Sequence, residues 1–222
     1  MMRWTEVPIH FVDFEGAIGT GVVEYGVVTL KDGAIRETKT RLCAPTAPLR
    51  PEDIEVHGLT GAQLQAQAPF ADEWELFAGL RETGPLAAHF AGTENSLLKS
   101  VWPYPRTSPD FARPGEFVIE WGPWIDSARI FAQLFPKFKS SQLEALVRAC
   151  GLQDDLDKSA RARCPADRRR YHAALYDALA GAHLLLFLAN DERVGKLSVM
   201  QLLALSVLDP VRRDSILQKD LF

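Results

Sequence analysis

The sequence predicts an α/β protein in which helices flank a mixed central sheet, and three observations lead to this prediction. Val7–Phe14 is a compact apolar run of the kind that forms a strand buried on both faces. Two β-rich runs, Val22–Leu30 and Ala34–Leu42, are separated by Lys31–Gly33, where Asp-Gly is a strong hairpin signal. Most of the chain beyond Asp126 has helical spacing. Strands followed by alternating helices and strands indicate one α/β domain.

The middle of the chain combines helices with one further strand. Trp74, Phe77 and Leu80 recur at helical intervals, which predicts an amphipathic helix. The apolar run PLAAHF is short enough to be a buried strand. The predicted elements are a proline-rich loop at Pro45–Pro51, a short helix at Pro51–Val56, a helix at Ala71–Arg81, a strand at Pro85–Phe90 and a helix at Glu94–Val101.

The second half of the chain begins with an irregular insertion and then becomes helical. The insertion, Trp102–Gly115, holds four prolines, and we expect Phe117–Ile119 to be the last strand. The predicted helices are Asp126–Phe135, Ser141–Cys150, Tyr171–Ala189, Leu197–Leu208 and a final helix opened by Asp209 and Pro210. Residues 1–190 then form the main domain. Residues 191–222 form a helical extension that either packs on this domain or provides a contact between copies of the chain.

Composition limits the classes of protein to consider. Apolar residues make up 47% of the 222 residues, which favours a globular domain with a sizeable core over disorder. The 25 basic and 29 acidic residues give a net charge of −4, which argues against a generally basic protein that coats nucleic acid. Three scattered cysteines without a zinc spacing favour a reducing compartment. Since no segment resembles a signal peptide or a membrane span, we expect a cytoplasmic protein without membrane contact.

Two acidic residues close the first predicted strand. Asp13 and Glu15 form an Asp-x-Glu pair, and side chains two apart in a strand point to the same face. Chance alone supplies about one such pair in a chain of this composition, so the spacing by itself is weak. Buried carboxylates are unfavourable unless they are paired or bind a metal. Because this pair ends an apolar strand, we expect both carboxylates to converge on one cation.

His172 and Asp177 form a second spaced pair at the start of the long predicted helix. A separation of five residues corresponds to about 140° around a helix, so both side chains cannot face one cleft from within it. If the two act together, His172 must lie in the preceding loop or first turn, whereas Asp177 projects from the helix. The alternative is that His172 is a surface or capping residue.

The order of these residues along the chain is more informative than any single pair. Asp13 and Glu15 on the first strand, Glu94 after a central strand, and His172 and Asp177 on a late helix together resemble the DEDDh family of 3′–5′ exonucleases, which has a ribonuclease H-like fold. Five further segments are similar to motifs of that family: His57–Thr60, Ala88–Ala91, Ile125–Ser127, Ser141–Leu146 and His172–Ala178. The similarity extends over roughly Val7–Leu188. Three positions depart from the family pattern: Glu94 replaces Asp, Phe90 replaces Asn and Gly16 replaces Thr. Asn95 and Asp126 are the alternatives to Glu94 for the usual aspartate.

The resemblance implies a metal-dependent 3′–5′ exonuclease domain in residues 1–190. By this resemblance, Asp13, Glu15 and Asp177 hold one Mg²⁺ or Mn²⁺ ion, Asp13 and Glu94 position a second, and His172 is the general base. The implied partner is the 3′ end of single-stranded nucleic acid, from which nucleoside 5′-monophosphates are released. The substrate contacts carried over are Gly16, His57 and Phe90. DNA and RNA both remain open as substrates, and a catalytically degenerate nucleic-acid-binding module is the alternative function.

An arginine-rich segment precedes His172. Residues 161–170 (RARCPADRRR) contain five arginines, and Arg168, Arg169 and Arg170 are the predicted phosphate contacts, since arginine suits bidentate phosphate binding. The alternative is a solvated loop whose charges face water. Because the loop Ala160–Tyr171 has few apolar residues, we expect it to be mobile without substrate, with His172 too far from the carboxylates to act.

Overall fold

The computed structural model describes residues 3–207, 209 and 211, and its strands and helices follow the predicted α/β order. The strands are β1 (Ile9–Ala17), β2 (Gly21–Lys31), β3 (Ala34–Leu42), β4 (Leu86–Ala88), β5 (Ser108–Pro109), β6 (Phe117–Val118) and β7 (Ile125–Asp126). The helices are α1 (Pro51–His57), α2 (Gly61–Leu64), α3 (Trp74–Thr83), α4 (Ala91–Val101), α5 (Ser127–Leu134), α6 (Leu143–Ala149), α7 (Gln153–Arg163), α8 (Ala174–Ala189) and α9 (Val199–Leu205).

Five strands form a mixed central sheet in the order β3-β2-β1-β4-β7. The first three strands are antiparallel neighbours, whereas β4 and β7 join β1 in parallel. Parallel strands need crossover connections, and helices supply them here. Because β1, β4 and β7 are parallel, their carboxyl ends lie on the same side of the sheet.

Alternate residues of β1 enter cores on opposite faces of the sheet. Phe11 belongs to the core that β1 and β2 share with α5 to α9, whereas Val12 and Phe14 belong to the core covered by α3 and α4. Phe11 and Val12 are both completely buried. The prediction that β1 is covered on both faces is confirmed, and its acidic end is fixed by the packing on either side.

Two glycines allow α8 to lie close to the sheet. A Cβ at Gly181 would lie 2.0 Å from the ring of Phe11, and a Cβ at Gly26 would lie 2.3 Å from the carbonyl carbon of Ala174. Gly26 is the register partner of Asp13. Close packing of the start of α8 over Gly26 therefore brings α8 next to the acidic end of β1.

The last strand of the sheet is not where the sequence pattern predicts it. Phe117 and Val118 pair with Ser108 and Pro109 in a separate two-stranded sheet, and Phe117 is exposed. The buried guanidinium of Arg81 fixes this part of the chain by donating to three backbone carbonyls, those of Pro109, Glu120 and Gly122. The strand that pairs with β4 is β7, whose two residues are too few to leave a sequence pattern.

Helix α7 was not predicted because it lacks an apolar stripe. Leu156 and Ala160 are its buried residues, and most of its other side chains are polar. The predicted helix at Leu197–Leu208 corresponds to α9, whose Leu202 and Leu203 pack into the core that contains Phe11. The helix predicted after Asp209 lies outside the described residues. Among the residues described, no helix has the length and apolar character that a bilayer span requires.

Candidate active site

Strand β1 carries the first two carboxylates near its carboxyl end. Asp13 pairs with Gly26 and Glu15 with Glu24, and the register then shifts at a bulge between Glu15 and Gly16. Gly16 has φ = 127°, and a Cβ there would lie 2.2 Å from the carbonyl oxygen of Gly21. Only glycine fits this bulge, since that φ is unfavourable for residues with a side chain. The glycine that departs from the family pattern thus forms a bulge in the strand directly after its acidic pair.

The start of α4 contributes Glu94. Phe90 precedes the helix in the left-handed conformation (φ = 60°), and its side chain is 47% exposed. The carboxylate of Asp126 accepts the backbone N–H groups of Phe90 and Ala91 at 3.3 and 3.2 Å, which fixes the first turn. Glu94 projects from this turn and is buried. Asp126 is therefore occupied in holding α4 and does not replace Glu94.

His172 and Asp177 lie where their spacing requires. His172 is two residues before α8, exposed and left-handed (φ = 61°), whereas Asp177 projects from the first turn of the helix and is buried. The N–H of His172 donates to Asp177 Oδ2 at 3.0 Å. Ligand atoms of Glu15, His172 and Asp177 all lie within 4.8 Å of one another. The expectation that His172 would be far from the carboxylates is wrong.

The four acidic residues interact electrostatically. Burial, followed by the neighbouring charges of Glu94, Asp177 and Glu15, raises the pKa of Asp13 well above its usual range. Burial also raises the pKa of Glu15 to about 8, with Asp177 as the next cause, and the pKa of Glu94 to about 8, with Glu15 next. The pKa of Asp177 rises to about 7 through burial, which outweighs its hydrogen bond from His172.

Two oxygens of this cluster have no hydrogen-bond partner in the described part of the chain. They are Oε2 of Glu94 and Oδ1 of Asp177, and both are inaccessible to solvent. A buried oxygen without a partner is unfavourable, and so is a group of like charges. A divalent cation would remove both penalties. Oxygen donors without a cysteine suit Mg²⁺ or Mn²⁺ better than zinc, so the residues present fit the predicted ions.

The arginine-rich segment is firmly anchored, contrary to the expectation from its composition. Arg168 is buried in an ion pair with Glu24, with its Nε 3.1 Å from Glu24 Oε1. Its remaining N–H groups donate to the carbonyls of His57 at 2.7 Å and His172 at 3.1 Å. Because these bonds occupy its guanidinium, Arg168 holds the segment in place and is not available to phosphate.

The other two predicted phosphate contacts remain exposed. Arg169 donates to the carbonyls of Cys164 and Arg161 at the end of α7. Arg170 donates to the carbonyl of His57 at 3.0 Å. Its positive charge partly opposes the rise that burial causes in the pKa of Glu15. Arg170 is thus the arginine of this segment that combines exposure with closeness to the carboxylates.

His57 joins the site through its backbone and is itself buried. Its carbonyl accepts from Arg168 and Arg170, and its Nδ1 accepts from the N–H of Leu59 at 3.0 Å. Its Nε2 is buried without a partner among the described residues. Gly58 is left-handed, and a Cβ there would lie 2.2 Å from Nη2 of Arg170. The glycine therefore leaves room for the arginine.

Glu24 is the residue of this region that sequence reasoning missed. It is buried in β2, opposite Glu15, and accepts from Arg168 and from the N–H of Ala174 at 3.1 Å. It therefore stabilises the start of α8 and the segment before His172 together. The available signal was an acidic residue inside an apolar strand, which is unfavourable without a buried partner.

Comparison with solved structures shows which fold this is. Exonuclease X, solved in complex with 5′-overhanging duplex DNA, is 20% identical with a TM-score of 0.61, and the match covers 86% of this chain and 97% of that one. A 3′-exonuclease solved with a histone mRNA stem-loop is 15% identical with a TM-score of 0.62, and the match covers 86% of this chain and 67% of that one. E. coli exonuclease I with single-stranded DNA is 14% identical with a TM-score of 0.61, and the match covers 85% of this chain and 41% of that one.

These similarities define the class of the fold. The chain has the ribonuclease H-like fold that these exonucleases share, a five-stranded mixed sheet flanked by helices, as the sequence predicts. No protein-family model matches the sequence, and no curated protein matches it. The likeness is therefore one of three-dimensional structure at low sequence identity.

Proposed function

We propose that this protein is a metal-dependent 3′–5′ exonuclease that releases nucleoside 5′-monophosphates from single-stranded DNA or RNA ends. The observation that carries the proposal is the carboxylate cluster of Asp13, Glu15, Glu94 and Asp177, in which two buried oxygens have no partner. Structural proteins rarely bury unpaired carboxylates together, because each is unfavourable on its own. The likeness of the fold to 3′-exonucleases supports the same conclusion.

The four carboxylates have distinct roles in this proposal. Asp13, Glu15 and Asp177 would hold one ion, and Asp13 with Glu94 a second. Two divalent ions would stabilise the charge on the attacking and leaving oxygens of the displacement. The side chain of Glu94 is longer than the usual aspartate, and the fixed start of α4 supplies its position.

His172 would take the proton from the attacking water. Histidine suits this role because its charge changes near neutral pH. Its backbone is held at both polar groups, since its N–H donates to Asp177 and its carbonyl accepts from Arg168. The imidazole is exposed and left free for the reaction. A histidine preorganised beside the carboxylates needs no rearrangement of its backbone before it acts.

The substrate contacts surround this cluster. Phe90 offers an exposed ring on which a base can stack. The imidazole of His57 is buried, so this residue contributes through its backbone carbonyl, which holds Arg168 and Arg170. The backbone at Gly16 permits close approach because no side chain intervenes. Arg169 and Arg170 supply positive charge toward phosphates, whereas Arg168 has a structural role.

A catalytically degenerate binding module is the competing function, and the position of Glu94 favours the enzyme. A module without catalysis has no need of a fourth carboxylate within the cluster. Glu94 is buried, and its charge acts on Asp13 more strongly than that of any other neighbour. A side chain turned to solvent would have favoured the module.

The proposal is tested by cleavage of single-stranded DNA and RNA labelled at either end. Shortening of 5′-labelled strands with early release of a 3′-terminal label, in Mg²⁺ or Mn²⁺ and not in EDTA, is the expected result. Asp13→Asn should reduce the rate roughly 100-fold or more, since even indirect partners of metal ligands contribute about 10–100-fold. Asp154→Asn, which removes an exposed carboxylate of α7, is the matched control. Binding of labelled strands without any cleavage would favour the degenerate module instead.

A further inference from the structure

The exposed arginines of this protein fall into two groups. In the described part of the chain, every exposed arginine outside residues 161–170 has a carboxylate within 4.0 Å: Arg3, Arg36, Arg50, Arg106, Arg129, Arg148 and Arg193. Arg161, Arg163, Arg169 and Arg170 are exposed, and no ion pair is found for them among the described residues. Among the described residues, exposed arginines without a carboxylate partner are therefore confined to this segment, although the net charge of the chain is −4.

Three of these four arginines follow one another away from the carboxylate cluster. Arg170 comes first, since it lies two residues before His172 and donates to the carbonyl of His57 at 3.0 Å. Arg169 comes next, and its Nη2 donates to the carbonyl of Arg161 at 3.1 Å. Asp167 is the one acidic residue between Arg161 and Arg170. We call Arg170, Arg169 and Arg161 the arginine track.

The position of Arg161 on α7 places it on the side of the site. Arg161 lies four residues after Asp157 and eight after Gln153, so the three share one stripe of the helix. Gln153 and Asp157 both bond the hydroxyl of Tyr176, one residue before Asp177. Oδ1 of Asp157 accepts from both Gln153 and Tyr176, and no ion pair between Asp157 and Arg161 is found.

Arg163 lies on the other side of the same helix. It is two residues from Arg161, which corresponds to about 200° around the axis. It lies four residues after Ser159, which bonds Nε2 of His183 at 2.8 Å, and its charge lowers the pKa of His183. Arg163 thus resembles Arg161 in exposure and in charge but lies on the opposite flank of α7, on the stripe that contacts the middle of α8.

We propose that the arginine track binds the phosphodiester backbone of the strand upstream of the nucleotide that occupies the carboxylate cluster. This inference rests on the proposed function, and it adds a direction for the strand, from His172 toward the end of α7. Guanidinium groups that lie in a row without carboxylate partners can contact successive phosphates of a polyanion. A single anion would instead need several groups that converge on one pocket. The anchoring of the segment by Arg168 and Glu24 preorganises the track.

The test compares Arg161→Ala with Arg163→Ala, which remove the same charge from the same turn of α7. The apparent KM for a long single-stranded oligothymidylate is measured over a range of salt concentrations in Mn²⁺. Arg161→Ala should weaken binding about 5-fold at 0.1 M salt and reduce the salt slope by about 0.7, the contribution of one contact with a single strand. Arg163→Ala should behave like the wild-type protein. Equal behaviour of the two variants would overturn the track.

A second substrate separates failure of the track from failure of the proposed function. The p-nitrophenyl ester of thymidine 5′-phosphate carries one phosphate and cannot extend to Arg161. If the wild-type protein hydrolyses this ester and the long strand but Arg161→Ala leaves the salt slope unchanged, the track is wrong and the nuclease stands. If the wild-type protein hydrolyses neither substrate, the proposed function itself fails.

Discussion

Glu24 and Arg168 form a buried ion pair that joins strand β2 to the segment leading into His172. Glu24 also accepts from Ala174 at the start of α8, and Arg168 also donates to the carbonyl of His172. One pair of side chains thus fixes the residues on both sides of the turn that places His172 and Asp177 together. The site depends on this pair although neither residue is expected to touch the substrate.

Removing one partner of the pair should destabilise the fold strongly. Arg168→Met leaves the carboxylate of Glu24 buried and uncompensated, which typically costs about 3–5 kcal/mol. Urea denaturation monitored by circular dichroism measures the free energy of unfolding. Arg163→Met is the control and should stay within about 0.5 kcal/mol of wild type, because its side chain is exposed. The double variant Glu24→Gln, Arg168→Met should recover part of the loss, and no recovery would mean that packing dominates.

Gly26→Ala should damage both stability and the site. The added Cβ would lie 2.3 Å from backbone atoms of Ala174, so α8 must move away from β2. Overpacking of this kind costs about 1–3 kcal/mol, and it displaces Asp177 from Asp13. Thermal unfolding and nuclease rate below the melting temperature are the two measurements. Gly79→Ala is the control, since nothing lies within 4 Å of its Cβ and alanine favours a helix. A fully active, stable Gly26→Ala protein would contradict the close packing.

His172→Ala should lower the turnover rate without a comparable loss of binding. Loss of a general base reduces the rate by roughly 10²–10⁴-fold. The imidazole is exposed, and its side chain forms no hydrogen bond with another residue that the structure describes. Steady-state kinetics on single-stranded substrate separates kcat from KM. A variant whose KM rises while kcat is retained would reassign His172 to substrate binding.

The metal-free protein should become less stable as the pH rises from about 5 to about 8. Burial raises the pKa of Glu15 and Glu94 to about 8, above the ordinary glutamate value of 4.5. A raised folded-state pKa stabilises the protein below the unfolded pKa, and that stabilisation is lost as the pH rises through the folded pKa. The melting temperature in EDTA should therefore fall across this range.

The melting-temperature measurement is made on a matched control variant and is repeated with added metal. Glu15→Gln should flatten the fall because it removes one titrating group, whereas Glu55→Gln, at an exposed position of α1, should not. Mn²⁺ should raise the melting temperature most at high pH, where the carboxylates are ionised. A melting temperature in EDTA that is constant or rises from pH 5 to 8 would contradict the raised pKa values.

The elements with strong local patterns were predictable from the sequence. Strand β3 has the predicted bounds, β2 is one residue longer at each end than predicted, and β1 begins two residues and ends three residues later than predicted. The reason is that burial on both faces and an Asp-Gly turn leave signals within about ten residues. The candidate site residues Asp13, Glu15, Glu94 and Asp177 were predicted from their order along the chain, which resembles that of an exonuclease family, and the charges of the other three act on Asp13.

Tertiary structure decided what local patterns could not. Glu24 and Arg168 are 144 residues apart in the chain, so no spacing indicates their ion pair. Without that pair, a polar segment with five arginines is expected to be weakly held; with it, the segment is anchored and Arg168 becomes structural. Strand β7 and helix α7 were missed because two paired residues and two buried side chains carry too little pattern. The sequence determined which side chains could take part in chemistry. Long-range packing determined which of these side chains remain available, because a charge is removed from solvent only when distant elements pack around it.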